Sequence, residues 1–385
     1  LYCLLSREYR SGRAPGGADA TELISERSPM LRAAKLSEFA LNAEKPVFYG
    51  DDVFGFNRSN AALPADRILD KGGYWSFGNV TVDYATPLAC GLSGIAERVR
   101  ALYPSADARA REFYDALLCV FGACEKLVGR YRDAARASGR DRLYAALSRV
   151  PMLGARDYYE ALVTVKFMQF ALRLTRTVHV TLGRFDQYMK PYFDASVQNG
   201  ATAEELKELT ELFFISLNFD TDLYTGVQQG DNGQSMVLGG CDREGRDAFN
   251  ELSEICLAAS EELKIIDPKI NLRVCAATPL SLYERGTRLT RQGLGFPQYS
   301  NDDVVIKALT QWGYSLEDAR DYTVAACWEF IVPGYGADIP NIGVMNFPLV
   351  VDRALRKSLA SCATFDDFAA AVNAEIRAEC DGIIC

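Results

Sequence analysis

The sequence predicts an α/β fold, and three observations carry that expectation. Short β-rich segments alternate along the chain with segments of helical periodicity, the pattern that puts strands in a sheet and helices on its faces. Hydrophobic residues make up 49% and charged residues 24% of the 385 positions, enough apolar surface for a sizeable core and unlike disordered, collagenous or coiled-coil chains. No internal repeat, low-complexity stretch or linker interrupts the pattern. Length alone allows two or three domains of about 150 residues, but residues 1–385 read as one unit.

Residues 1–25 read as peripheral. SPMLRAAKLSEFALNAEKPVFYGDDVFGF then reads as a helix followed by an extended segment and a turn. From Ser105 to Ser138, Phe113, Leu117, Val120, Cys124 and Leu127 recur at spacings of 4, 3, 4 and 3, one face of a helix that Gly139 ends, with Cys124 in the core. A second helix starts near Arg156. A third opens at the capping box Thr202-x-x-Glu205 ahead of Leu206, Leu209, Phe213 and Leu217. Between them TVHVTLGR has strand character. GQSMVLGG reads as a strand leading through the turn CDREGR to the helix DAFNELSEICLAASEEL. The rhythm continues with a strand from Ile270 to Ala276, a helix from about Pro279, the turn QGLGFPQYSND, a helix from Asp303 to Trp312, a short helix opened by Ser315, and the strand YTVAAC. A last helix starts at Phe365 and is cut off at Cys385.

Composition removes several function classes. Lys and Arg number 42 against 51 Asp and Glu, a net charge of −9, which offers no basic footprint for nucleic acid or an anionic bilayer. The apolar runs fall short of the ~18 residues of a membrane span, and the N-terminus lacks the layout of a signal peptide, so a cytoplasmic protein is expected. Eleven scattered cysteines do not form a disulfide framework and point to a reducing compartment. The single histidine, His179, weakens every reading that needs a catalytic triad or a multi-histidine zinc site. Cys380-x4-Cys385 lacks two further ligands nearby, and Gly239, Gly240 and Gly245 do not have Rossmann or P-loop spacing. Neither a metal nor a nucleotide is expected.

The segment YTVAACWEFIVPG is the most informative, because Glu329 is its only charged residue and its surroundings read as buried. On an extended backbone Cys327 and Glu329 share a face, about 6.5–7 Å apart along the strand. A carboxyl there is a candidate proton acceptor or donor, and a thiol in an apolar setting suits hydrogen-atom exchange. The same residues equally describe a structural cysteine beside a glutamate that pairs with an arginine from the next strand.

DARDYTVAACWEF, preceded by GLGFPQYSNDDVV and IIDPKINLRV, resembles the stretch before and through the active-site cysteine loop of glycyl radical enzymes, the pyruvate formate-lyase-like superfamily. VTLGRFDQYMKPYF, LGGCDREGRDAFNELS and VDYATPLACGLSGI are similar to further ordered segments of that family, so the resemblance covers roughly residues 30 to 360. It implies a ten-stranded α/β barrel of two antiparallel five-stranded halves surrounded by helices, with the cysteine on a loop inside. It assigns to Cys327 the thiyl radical that abstracts a substrate hydrogen. The partner of that cysteine is a glycine radical near the C-terminus, made by a separate radical-SAM activating enzyme.

The family's glycine lies in an Arg-Val-x-Gly-Tyr type motif, but IVPGYG has Ile331 in the arginine's place and lies seven residues after Cys327. Gly334-Tyr335 therefore reads as a turn. The chain is expected to be one incomplete barrel domain without the glycine radical domain, either a fragment or one piece of a split enzyme. It is expected to bind no cofactor itself, its partners being the activating enzyme and a small-molecule substrate, with a homodimer left open.

Trp328 follows Cys327 where pyruvate formate-lyase carries a second cysteine, which argues against acetyl transfer to coenzyme A. Cys-x-Glu instead resembles the branch of diol dehydratases, carbon–nitrogen lyases and arylacetate decarboxylases, in which the Glu acts as a base. Trp328 itself is expected to pack in the core on the opposite side of the strand. His179, just upstream of Gly183-Arg184, lies one residue nearer that motif than the substrate-binding histidine of dehydratase relatives. Asn341, in DIPNIG, falls where some diol dehydratases carry an aspartate. Both are candidate substrate-binding residues. Asn301 and Asp302 read as a helix cap. The rival readings are a formate acetyltransferase-like activity, an inactive scaffold, and a TIM-barrel lyase, whose carboxylate and lysine constellations the sequence does not show.

Overall fold

The structure is a computed structural model that describes residues 26, 28–59, 80–174, 179–219, 233–336 and 345–384. It divides into two compact units, residues 1–338 and 339–385. In the first unit α1 (Pro29–Ala43) starts where the Ser28 hydroxyl accepts the Leu31 N–H, with proline in its first turn. β1 (Val80–Thr81), α2 (Ala85–Leu102), α3 (Ala108–Ala137), α4 (Asp141–Leu147) and α5 (Tyr158–Leu174) follow. β2 (Val180–Thr181) then leads into α6 (Phe185–Tyr188), α7 (Lys190–Gln198) and α8 (Ala203–Leu217). The remainder alternates: β3 (Ser235–Gly239), α9 (Glu251–Leu263), β4 (Lys269–Val274), α10 (Leu280–Thr290), β5 (Gln298–Asn301), α11 (Asp302–Gln311), α12 (Leu316–Arg320), β6 (Thr323–Ala325) and β7 (Glu329–Ile331).

Strands β1 and β2 pair in parallel, as do β3 with β4 and β4 with β5. A parallel bridge between Gly183 and Met236 links the end of β2 to β3, so β1 to β5 lie side by side in chain order, all parallel. Helices make the long crossovers that parallel neighbours require. Side chains alternate across this sheet. Leu182, Met236, Leu238, Ile270, Leu272 and Val274 join the main hydrophobic core with residues of α3, α5, α8 and α9. The other face is mostly polar and equally buried, presenting Thr181, Ser235, Asn271, Arg273 and Ser300 beside Val237.

Most elements form where the sequence predicts them. The Thr202–Glu205 capping box is present with both reciprocal bonds, and Cys124 lies in the core at 4% exposure. Phe113, expected on the same buried face, is 45% exposed because the first turns of α3 run past the helices that cover its centre. The segment expected to be only a turn, QGLGFPQYSND, contains β5. Its QYSN sequence has no hydrophobic run because the inner face of the sheet is polar at that point. In the second unit, α13 (Phe347–Ser358) and α14 (Phe365–Ile384) pair through Lys357–Glu375 at 2.7 Å and Arg353–Glu379. No helix among the described residues is long and apolar enough to cross a membrane.

The turn after β3 requires glycine at Gly240, where φ is +79° and the Arg273 side chain passes directly overhead; an added Cβ would lie 2.5 Å from Arg273 Nε. Gly240→Ala combines left-handed backbone strain with overpacking and should lower the unfolding free energy by about 2–4 kcal/mol in a denaturant titration.

Candidate active site

Cys327 does not lie on a strand. β6 and β7 pair antiparallel with Thr323 opposite Ile331 and Ala325 opposite Glu329, so Ala326, Cys327 and Trp328 form the tip of a hairpin. The expectation of an extended backbone with Cys327 and Glu329 on one face is corrected: the chain reverses between them. What brings the two together is hydrogen bonding. Glu329 Oε2 accepts the N–H of Cys327 at 2.9 Å and that of Trp328 at 3.0 Å, satisfying donors that a three-residue turn leaves without ladder partners. Ala326 enters the turn at a φ of +44°, in the left-handed region. Cys327 is exposed and Glu329 half-buried. Trp328, expected in the core, is 51% exposed because the turn carries it past the sheet's cover.

The hairpin is held from below by hydroxyls of the polar sheet face. Ser235 Oγ donates to the Ala326 carbonyl at 2.8 Å, and Thr181 Oγ1 lies 2.6 Å from the Ser235 carbonyl and 3.2 Å from that of Val324. Tyr322, Val324 and Val332 pack with Val237 of β3 and with Val305, Leu309 and Ala319 in a second apolar cluster.

Deeper in, two arginines fasten the segment that enters β6. Arg273 of β4 is fully buried. Its Nε and Nη2 bond the two oxygens of Asp302 at 2.8 and 3.0 Å, and it donates to the carbonyls of Tyr322 at 2.9 Å and Arg320 at 2.8 Å. Its guanidinium lies 3.9 Å over the Tyr322 ring, whose hydroxyl donates to Asp302 at 2.8 Å. Arg184, just after β2, donates to Asp321 at 3.0 Å and to the Cys241 carbonyl at 2.8 Å. Burial opposes charge on Asp302, but the Arg273 guanidinium, with hydrogen bonds from Tyr322 and the Cys241 N–H, holds its carboxyl below the usual aspartate range. Burial pushes the Tyr322 hydroxyl well up, so it stays a donor.

Asn301 caps α11 as the sequence predicts, accepting the Asp303 N–H at 3.0 Å. Asp302 does more than complete that cap, being the counter-ion of Arg273. Sequence reasoning does not single out Arg273, because a lone arginine in IIDPKINLRV reads as the solvent side of a strand; its one signal is that the apolar residues alternate with it. His179 sits at the start of β2 with φ +52°, and its carbonyl accepts the Val80 N–H. Its ring lies so close over Gly233 that a Cβ there would be 2.4 Å from Cδ2, which places the imidazole two residues before Ser235. Asn341 lies outside the described residues. Gly334 and Tyr335 form the expected turn, with Gly334 at φ +78° and the Tyr335 N–H bonded to the Val332 carbonyl. A cleft of about 990 Å³ lined by Arg140, Arg142, Tyr159 and Glu205 lies elsewhere and includes neither Cys327 nor Glu329. Among the described residues no three His, Cys, Asp or Glu side chains cluster so as to hold a metal ion.

Residues 70–363 match a family model described as pyruvate formate lyase-like. The chain is 28% identical over 304 residues to the (2S)-3-sulfopropanediol dehydratase of Klebsiella oxytoca, covering 72% of this chain and 37% of that protein. It is 27% identical over 300 residues to the isethionate sulfite-lyase of Bilophila wadsworthia, covering 71% of this chain and 36% of that protein. It thus spans well under half the length of these two relatives. The fold is similar to that of the B12-independent glycerol dehydratase from Clostridium butyricum, with a TM-score of 0.82 at 20% identity over 100% of this chain and 63% of that one.

Arg273→Met leaves the Asp302 carboxylate buried without its counter-ion and should cost about 3–5 kcal/mol of stability. Because the folded-state carboxyl of Asp302 is held down, its contribution is fully present at neutral pH and is lost as pH falls below the ordinary aspartate value of 3.8. Unfolding titrations of wild type and Asp302→Asn should therefore differ most near neutrality and converge in acid.

Proposed function

Because the chain belongs to the pyruvate formate lyase-like family, we propose that it carries the cysteine of a glycyl radical enzyme that eliminates a leaving group from a small polar substrate. The observation that carries this reading is the hairpin: an exposed thiol at the tip of a firmly anchored turn, with a carboxylate folded back beside it. The dehydratase and sulfite-lyase among the relatives belong to the same reaction class.

A glycine-centred radical on a C-terminal segment of the whole protein, installed by a radical-SAM activating enzyme, supplies hydrogen-atom exchange with the Cys327 thiol. The exposure of Cys327 leaves its sulfur open to such an approach. In the proposed cycle the Cys327 sulfur takes a hydrogen atom from a substrate carbon. Glu329 accepts the proton of the hydroxyl on that carbon while the neighbouring leaving group departs. The Cys327 thiol then returns its hydrogen to the product radical. Glu329 Oε1 takes part in neither amide bond and is the oxygen available to the substrate. With Trp328 in place of a second thiol, the position after Cys327 cannot hold an acyl group, which speaks against acetyl transfer.

The five parallel strands in chain order are proposed to be one half of a ten-stranded barrel, with residues 1–385 part of a single barrel domain. His179 and Asn341 are proposed to meet the polar groups of the substrate.

The test is anaerobic activation of the full-length gene product with a radical-SAM activase, followed by electron paramagnetic resonance and turnover of a panel of diols, amino alcohols and small sulfonates. Cys327→Ser should keep the glycine-centred doublet and lose turnover. Glu329→Gln should keep the doublet and lose roughly 10²–10⁴-fold in kcat. Turnover that survives Cys327→Ser, or a wild type without a doublet, would sink the proposal.

A further inference from the structure

We propose that Ser235 is the positioning residue of Cys327, an inference that rests on reading Cys327 as the hydrogen-abstracting thiol. The peptide unit that joins Ala326 to Cys327 is held at both ends. Its carbonyl accepts from Ser235 Oγ at 2.8 Å, and its N–H donates to Glu329 Oε2 at 2.9 Å. The next peptide unit donates the Trp328 N–H to the same carboxylate oxygen at 3.0 Å. With the planes on both sides of its Cα fixed, Cys327 retains only side-chain rotation to place its sulfur.

Of these restraints only Ser235 comes from outside the hairpin. It lies on β3, 1% exposed, with its own carbonyl bonded by the Leu182 N–H at 2.8 Å and by Thr181 Oγ1 at 2.6 Å. The hydroxyl is therefore mounted on the sheet and refers the turn to a rigid frame. Ala326 shows that such a restraint is needed. An L-residue at φ +44° persists only where its surroundings over-determine it, and the Ser235 bond meets the carbonyl of that same residue.

In the full-length activated protein, Ser235→Ala should leave the glycine-centred doublet intact and KM within about twofold, while kcat falls roughly 10–100-fold, the scale of an ångström-sized misplacement. Ser235→Thr, which keeps the donor, should restore most of the rate. Ser235→Cys, nearly isosteric with a far weaker donor, should reproduce the loss if Ser235→Ala does not fold. Hydrogen–deuterium exchange of the peptide spanning Cys327 and Trp328 should accelerate about 3–10-fold in Ser235→Ala, the opening expected from losing one net hydrogen bond. Unchanged exchange overturns the inference, as does unchanged kcat, and a rise in KM at constant kcat would make Ser235 a substrate contact instead. Because exchange needs no turnover, a wild type that forms no radical defeats the functional reading while the exchange result still decides whether Ser235 holds the turn.

Discussion

Arg273 reaches from β4 to the carbonyls of Arg320 and Tyr322, and its charge is met by Asp302 at the first residue of α11. Burying a guanidinium away from water is tolerated only when its partners are supplied in full. Here they come from the start of α11, from the last residue of α12 and the segment after it, and from the Tyr322 ring. Moving any one of these leaves a buried charge or carbonyl without its bond. Apolar packing is non-directional and would let the second cluster slide, so it is this pair that fixes where the chain enters β6 and where the hairpin begins.

The polar inner face of the sheet follows from the same requirement. A hairpin that crosses a sheet cannot share its ladder, so its backbone carbonyls must find side-chain donors or remain unsatisfied. Ser235 meets that need for Ala326, and Arg273 does so for Tyr322 and Arg320 just before it. The opposite face carries Met236, Leu238, Ile270 and Leu272 into the main core. One sheet thus anchors itself on one side through hydrophobic burial and positions a turn on the other through hydrogen bonds.

Much of this was legible in the sequence. Local signals located the helices, because caps such as Thr202–Glu205 and the periodicity through Cys124 are written in neighbouring residues. Cys327 and Glu329 stood out as a thiol and a carboxylate in an apolar stretch. Their relation did not, because the turn between them contains no Gly, Pro, Asn or Asp and a period of two describes AACWEF as well as a strand does. β5 has no signal in the sequence because its polarity belongs to the inner face, a property set by what packs there. Asp302 was visible as part of a helix cap, but nothing near it in sequence announces Arg273, 29 residues upstream.

The bond between the Ser235 hydroxyl and the hairpin joins residues 91 positions apart in sequence. Contacts of such separation form only after the intervening chain has been closed into loops, and they do not arise from the hairpin's own residues. The cysteine turn therefore acquires its shape late, once β2 and β3 lie side by side. A partly folded chain has the thiol and the carboxylate without the frame that holds them in position, so their arrangement is set only when the sheet is complete.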